Sequence, residues 1–356
     1  MTKEILDLVR PDLRDLVPYA VPHYPGYIKL DANENPYDFV PEVREEIFRR
    51  VGGQTFPRYP DPLATDLRRA LAGYTGLEPE NILAGNGSDE LILTLLLTFG
   101  TGGKVVITPP TFSMYGIHAR IAGAAPVEVP RLSNFDLDLP ALIREARAPD
   151  TRMTVICSPN NPTGNSVNRA DVEKLLAEAA GLVVLDEAYV EFAGESCCDL
   201  VRRHPRLVVL RTFSKAFGLA GLRVGYLLAD PAVVEALLKV KQPFNLNAFS
   251  QLAALTVLES LPVFRERVAR IVADREELYR RLQNLSGVEV FPSRANFLLF
   301  RTPLPAEAVW DGLLRHRILV RNVEGPGLMR CLRVNVGTPI ENAAFVGALE
   351  AVLAQA

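Results

Sequence analysis

Lys215 stands in RTFSKAFGLAGLRVGY (211–226), between an apolar run and a glycine-rich stretch that carries little charge. The chain has seven lysines against 32 arginines, so an amine inside a segment that reads as core is not surface filler. Burial depresses a lysine pKa and frees the lone pair, which makes the amine a nucleophile toward aldehydes. A lysine snorkelling from a helix end to solvent is the alternative. Ser214 precedes it. Arg223, eight positions on, offers a planar fork that suits a phosphate.

Three other stretches carry unusual residues. In AGNGSDELILTLL (84–96), Gly85 and Gly87 let backbone approach closely, and Ser88 reads as an N-cap with Asp89 and Glu90 in the first turn. Exposed N–H groups there form an anion site, although acids favour that helix end in any capped helix. In ICSPNNPTGN (156–165), Asn160-Asn161-Pro162 follows a strand-like run. This is ordinary turn chemistry, and also a place for an amide that donates to a ligand oxygen. LVVLDEAYVEF (182–192) ends an apolar run in Asp186, with Glu187 and Tyr189 behind it. A carboxylate at a buried strand end needs a cationic partner. A structural salt bridge and a protonated ring nitrogen of a ligand would both serve.

These residues need elements to hold them. The runs KVVIT (104–108), MTVIC (153–157), LVVLD (182–186), LVVLRT (207–212) and VGYLLA (224–229) are β-branched and continuously apolar. NRADVEKLLAEAA (168–180) places Val172, Leu175, Leu176 and Ala179 on one helical face. A helix is expected to open at Asp61-Pro62. Apolar strands alternating with helices predict an α/β fold with a mostly parallel sheet covered on both faces, whose ligands bind beyond the strands' carboxyl ends. The expected division is an N-terminal arm (1–40), a large domain (41–250) and a smaller α+β domain (251–356).

Composition excludes several classes. With 356 residues, 48% hydrophobic content and a net charge of −3, the chain can bury a full core and gives no electrostatic reason to bind nucleic acid or an anionic membrane. The apolar stretch LILTLLLTF (91–99) is too short to span a bilayer. The opening MTKEILDLVRPDL lacks the apolar core of a signal peptide. Four cysteines without CxxC spacing and four scattered histidines predict a reduced, cytoplasmic compartment and no metal site.

The order GNGSDE, SPNNPTG, DEAY, TFSKAFGLAGLRVGY resembles the fold-type I aminotransferases that depend on pyridoxal 5'-phosphate, and within them the histidinol-phosphate aminotransferases. The likeness extends from VPY (17–19), KLDANENP (29–36) and RYPDP (58–62) to CLRVNVGT (331–338). It implies a seven-stranded large-domain sheet between helices. It also implies a cofactor joined to Lys215, with Asp186 on the ring nitrogen, Asn161 and Tyr189 on the phenolic oxygen, and Tyr115 (in PPTFSMYG) stacked on the ring. The phosphate is expected on Gly87, Ser88, Asp89, Ser214 and Arg223, with Tyr59 reaching the neighbouring subunit's cofactor in a homodimer that shares its active sites. Arg333 is expected to hold the substrate's anionic group, helped by Tyr19 and by Arg321 in a loop-like stretch; Asn161 also faces the substrate. The implied reaction is ping-pong amino transfer from glutamate to imidazole acetol phosphate, giving 2-oxoglutarate and L-histidinol phosphate, in histidine biosynthesis. A threonine-phosphate decarboxylase or an aromatic aminotransferase would use the same cofactor motifs. A cofactor-binding regulator would call for a basic DNA-binding region, and the chain has none.

Overall fold

β1 (Ile28–Leu30) is the first strand of the computed structural model, which describes residues 5–18, 24–54 and 57–354. Seven more strands form one sheet: β2 (Ile82–Gly85), β3 (Lys104–Ile107), β4 (Ala125–Glu128), β5 (Thr151–Cys157), β6 (Leu182–Asp186), β7 (Leu207–Thr212) and β8 (Gly225–Leu228). Their order is β2-β8-β7-β6-β5-β3-β4. The pairings among β3 to β7 are parallel, while β8 runs antiparallel to both of its neighbours. This is the mostly parallel α/β sheet anticipated above.

The apolar runs have a simple cause. Side chains alternate across a strand, and here both faces are covered. In β6, Val183 and Leu185 join an apolar cluster with Val172 and Leu175 of the helix Arg169–Glu178. Leu182 and Val184 join the opposite cluster, with Leu91 and Leu95 of the helix Ser88–Leu95. Each fully buried Val or Leu contributes about 1.5–3 kcal/mol, so neither face tolerates a polar residue before the strand's end.

The second sheet contains β9 (Glu289–Val290), β10 (Phe297–Arg301), β11 (Ile318–Asn322) and β12 (Cys331–Asn335), in the order β1-β11-β12-β10-β9. Part of the expected arm is thus an edge strand, paired parallel to β11. Leu30 packs with Phe300 and Phe345 in that sheet's core. Three residues are too few for a period-2 pattern to show in sequence.

Two local expectations shift. The helix foreseen at Asp61-Pro62 spans Thr65–Thr75. Asp61 still accepts from the N–H groups of Leu63 (2.9 Å) and Thr65 (2.6 Å), but Ala64 adopts a left-handed φ of 48° and delays the helix. Ser88 is the first helical residue and not the cap, because Gly87 holds the N-cap position with a φ of 84°. Among the described residues, no helix is long and apolar enough to cross a membrane.

Candidate active site

A cavity of about 600 Å³ opens at the carboxyl ends of β5, β6 and β7, and residues from the second sheet and the β1 segment close it. Lys215, Asp186, Tyr189, Asn161, Ser88, Asp89, Ser214, Arg223, Tyr115, Arg321 and Arg333 all line it. The loops after β2, β5, β6 and β7 deliver most of them, because a parallel sheet brings those strand ends to one edge.

Asp186 ends β6 and is 4% exposed. It accepts from the Tyr115 hydroxyl (2.6 Å) and the Ala188 N–H (3.0 Å). Burial pushes its carboxyl up to about 6 in spite of these donors. The structural salt bridge belongs to its neighbour: Glu187 accepts from Arg211 Nε at 3.0 Å and Nη2 at 2.9 Å. Among the described residues no cation pairs with Asp186. A buried carboxylate aimed at a cavity without a counter-charge suits a cationic ligand atom.

Lys215 Nζ donates to the Ala32 carbonyl at 2.9 Å. Burial first, and the Arg333 guanidinium second, lower its pKa to about 8. The two asparagines of SPNNPTG divide their work. Asn160 is fully buried and builds the turn, accepting from Thr111 Oγ1 (2.7 Å) and donating to Pro110 O (2.9 Å). Asn161 faces the cavity, where its Oδ1 accepts from Arg333 Nη1. Tyr189 is buried, and its hydroxyl accepts from Asn33 Nδ2 at 2.9 Å.

At the other end, the helix Ser88–Leu95 points its first N–H groups at the cavity, the arrangement that binds anions. Arg223, at a left-handed φ of 52°, donates to Asp89 Oδ2 at 2.9 Å. Two glycines keep this corner open. A Cβ on Gly87 would lie 2.6 Å from Arg223 Nη2, and one on Gly225 would lie 2.4 Å from Ser88 N. Gly87 supports the corner without lining the cavity.

Several placements differ from expectation. Tyr115 is 1% exposed, its ring lies in the apolar cluster beneath the sheet edge, and its hydroxyl is spent on Asp186. Its hydroxyl therefore supports Asp186, while the residue still lines the cavity. Phe112, three residues earlier in the same PPTFSMYG stretch, is the half-buried aromatic at the cavity wall, edge-on to Tyr115 with centroids 5.5 Å apart. Arg321 sits in β11, not in a loop, directly opposite Arg333 in the ladder. Tyr59 lies away from its own chain's cavity, 81% exposed and stacked on Phe244 at 4.5 Å. Tyr19 falls outside the described residues. The reading by residue type passed over Asn33, Phe112 and Gly225, whose importance lies in long-range contacts.

A family model described as aminotransferase class I and II matches residues 25–349. The chain is a member of this family. Histidinol-phosphate aminotransferase 1 of Carboxydothermus hydrogenoformans is 47% identical over 329 residues, covering 92% of this chain and 93% of that protein. Histidinol-phosphate aminotransferase of Desulfitobacterium hafniense is 41% identical over 352 residues, covering 97% of both. Among solved structures, histidinol-phosphate aminotransferase from Sinorhizobium meliloti in complex with pyridoxal-5'-phosphate matches with a TM-score of 0.88 at 28% identity, over 97% of each chain. L-threonine-O-3-phosphate decarboxylase from Porphyromonas gingivalis matches with a TM-score of 0.81 at 25% identity, over 92% of this chain and 99% of that one. In the class I and II aminotransferases this chain thus stands nearer in sequence to the two aminotransferases than to that decarboxylase.

Proposed function

We propose that this chain is a pyridoxal-phosphate-dependent transaminase that moves an amino group between L-histidinol phosphate and 2-oxoglutarate. The residues present fit the cofactor on grounds of their own. Asp186 is buried with no cation paired to it among the described residues, and the corner at Ser88 is one that a Cβ on Gly87 or Gly225 would fill. When bound, the cofactor supplies an aldehyde that joins amines and a ring that accepts electrons.

The chain's residues then divide the work. Lys215 Nζ holds the cofactor and, once free, takes the substrate's Cα proton and returns it to the product. An amine near pH 8 suits both directions. Asp186 keeps the ring nitrogen protonated, and Tyr115 holds that carboxylate in place. Asn161 and Tyr189 serve the phenolic oxygen. Ser88 and Asp89 N–H groups, Ser214 and Arg223 hold the phosphate. Gly225→Ala is expected to weaken cofactor binding by about tenfold or more, because overpacking here costs about 1–3 kcal/mol. Equilibrium dialysis of the cofactor against the cofactor-free chain measures it, and unchanged affinity would count against a phosphate at Ser88.

The observation that carries the substrate reading is the register of Arg321 opposite Arg333 on the cavity wall. Two guanidiniums brought by adjacent strands to one cavity wall suit an anionic substrate, phosphate or carboxylate in turn. Asn161, held by Arg333, sits where both can meet the cofactor. The high identity to the two aminotransferases favours amino transfer over decarboxylation. Glutamate formed from histidinol phosphate and 2-oxoglutarate is the expected result. Carbon dioxide released from threonine phosphate, without that glutamate, would overturn it.

A homodimer with shared sites is part of the reading. Tyr59, exposed, stacked on Phe244 and outside its own chain's cavity, supports this reading. Sedimentation at the mass of two chains is expected; a monomer at working concentration would remove this element. Four free cysteines, three of them buried, support a cytoplasmic setting.

A further inference from the structure

Asn33 is 1% exposed and sits at a left-handed φ of 54°, a region asparagine enters more readily than most residues. Its N–H donates to Asn335 Oδ1 at 3.2 Å, and its carbonyl accepts from Asn296 Nδ2 at 3.0 Å. The residue is thereby pinned on both sides, to the end of β12 and to the residue just before β10. Its amide Nδ2 donates to the Tyr189 hydroxyl at 2.9 Å, across 156 positions of sequence. A phenol has one proton and two lone pairs. With a lone pair taken by Asn33, the proton is not spent on that contact. Phe297, edge-on to Tyr189 with centroids 5.2 Å apart, covers one side of the ring, and the cavity lies on another.

We propose that Asn33 is a positioning residue whose amide keeps the Tyr189 proton directed into the cavity, toward the phenolic oxygen of the bound cofactor. The assignment rests on the cofactor reading above. The same turn of backbone reaches the nucleophile, since Ala32 O accepts from Lys215 Nζ. Arg333 from β12, Cys157 from β5 and Asp186 from β6 are the charged or titratable groups around the hydroxyl, and they are unchanged in the variants below.

The test is the pH midpoint of the visible absorbance change of the holoenzyme, reconstituted with pyridoxal phosphate. A proton given to the phenolic oxygen favours the less protonated form of the cofactor, so its loss raises the midpoint. Asn33→Asp turns the donor into an acceptor and draws the Tyr189 proton away. The expected rise is about one unit, the size of one hydrogen bond to a charged group, and at least that of Tyr189→Phe. Asn33→Gly keeps the left-handed backbone and is expected to give a smaller rise. It also serves if the aspartate variant fails to fold. In a Tyr189→Phe background Asn33→Gly should add no shift, because no hydroxyl remains to be oriented. A merely structural Asn33 would lower the melting temperature and leave the midpoint unchanged; that result overturns the assignment, as does an equal shift with and without the hydroxyl. A wild-type chain that shows no visible band with the cofactor fails at the cofactor reading itself, and takes this assignment with it.

Discussion

Lys215→Ala is expected to lower amino transfer by at least about 10³-fold, within the range a positioned acid–base group contributes, while the fold stays intact. The side chain makes one hydrogen bond, to the Ala32 carbonyl, and its burial disfavours the charged form, so its removal costs the core little. Borohydride should fix the cofactor to the wild-type chain at Lys215 and leave the variant unlabelled. Near-normal turnover by the variant would refute the role. The pH dependence has a definite sign. A base held at about 8, against an ordinary 10.5, becomes a free amine at lower pH than an exposed lysine. Capture of pyridoxal phosphate by the cofactor-free chain should therefore accelerate as pH rises, with a midpoint near 8. The unfolded chain binds the extra proton between these two values, so this group's contribution to stability also rises with pH across that window. A capture midpoint near 10 would describe an amine in open water.

Asp186→Asn should produce effects of opposite sign with and without cofactor. In the holoenzyme it removes the carboxylate partner of the proposed buried ion pair, an expected loss of about 3–5 kcal/mol, and turnover should fall by at least about 10²-fold. In the cofactor-free chain the carboxyl is raised to about 6 from an ordinary 3.8, burial being the main cause. Between those values the folded state binds more protons than the unfolded state, so stability falls as pH rises through them and stays lower above. The amide escapes this penalty and still accepts from Tyr115. The variant's melting temperature without cofactor should thus exceed the wild type's at pH 7–8, a gap that closes near pH 4. A variant less stable without cofactor at pH 7 would show that Asp186 serves the fold and not the ligand.

Much of the scaffold was legible because its causes are local. Val183, Val184 and Leu185 are apolar in succession since each face of β6 is buried by a different layer, and a strand covered on both sides has no other pattern available. The end of that run was legible for the same reason: a carboxylate directly after four buried residues marks where the sheet meets a polar space. Strands of three or four residues such as β1 are too short to carry a period, and β1 gained its place by pairing with β11, nearly 300 positions away.

The sequence by itself determined the chemistry at the strand ends: the amine at 215, the carboxylate at 186, the glycine-bounded helix start at 88, and a sheet that must bring them to one edge. Only the tertiary structure decided that both aromatics of PPTFSMYG line the cavity, that the Tyr115 hydroxyl is spent on Asp186, that Arg321 faces Arg333, and that Asn33 holds Tyr189. The physical reason is range. Hydrophobic period and turn chemistry act over a few residues, whereas the direction of a hydroxyl proton or the room beside Ser88 N depends on groups brought together only when two sheets close on one cavity.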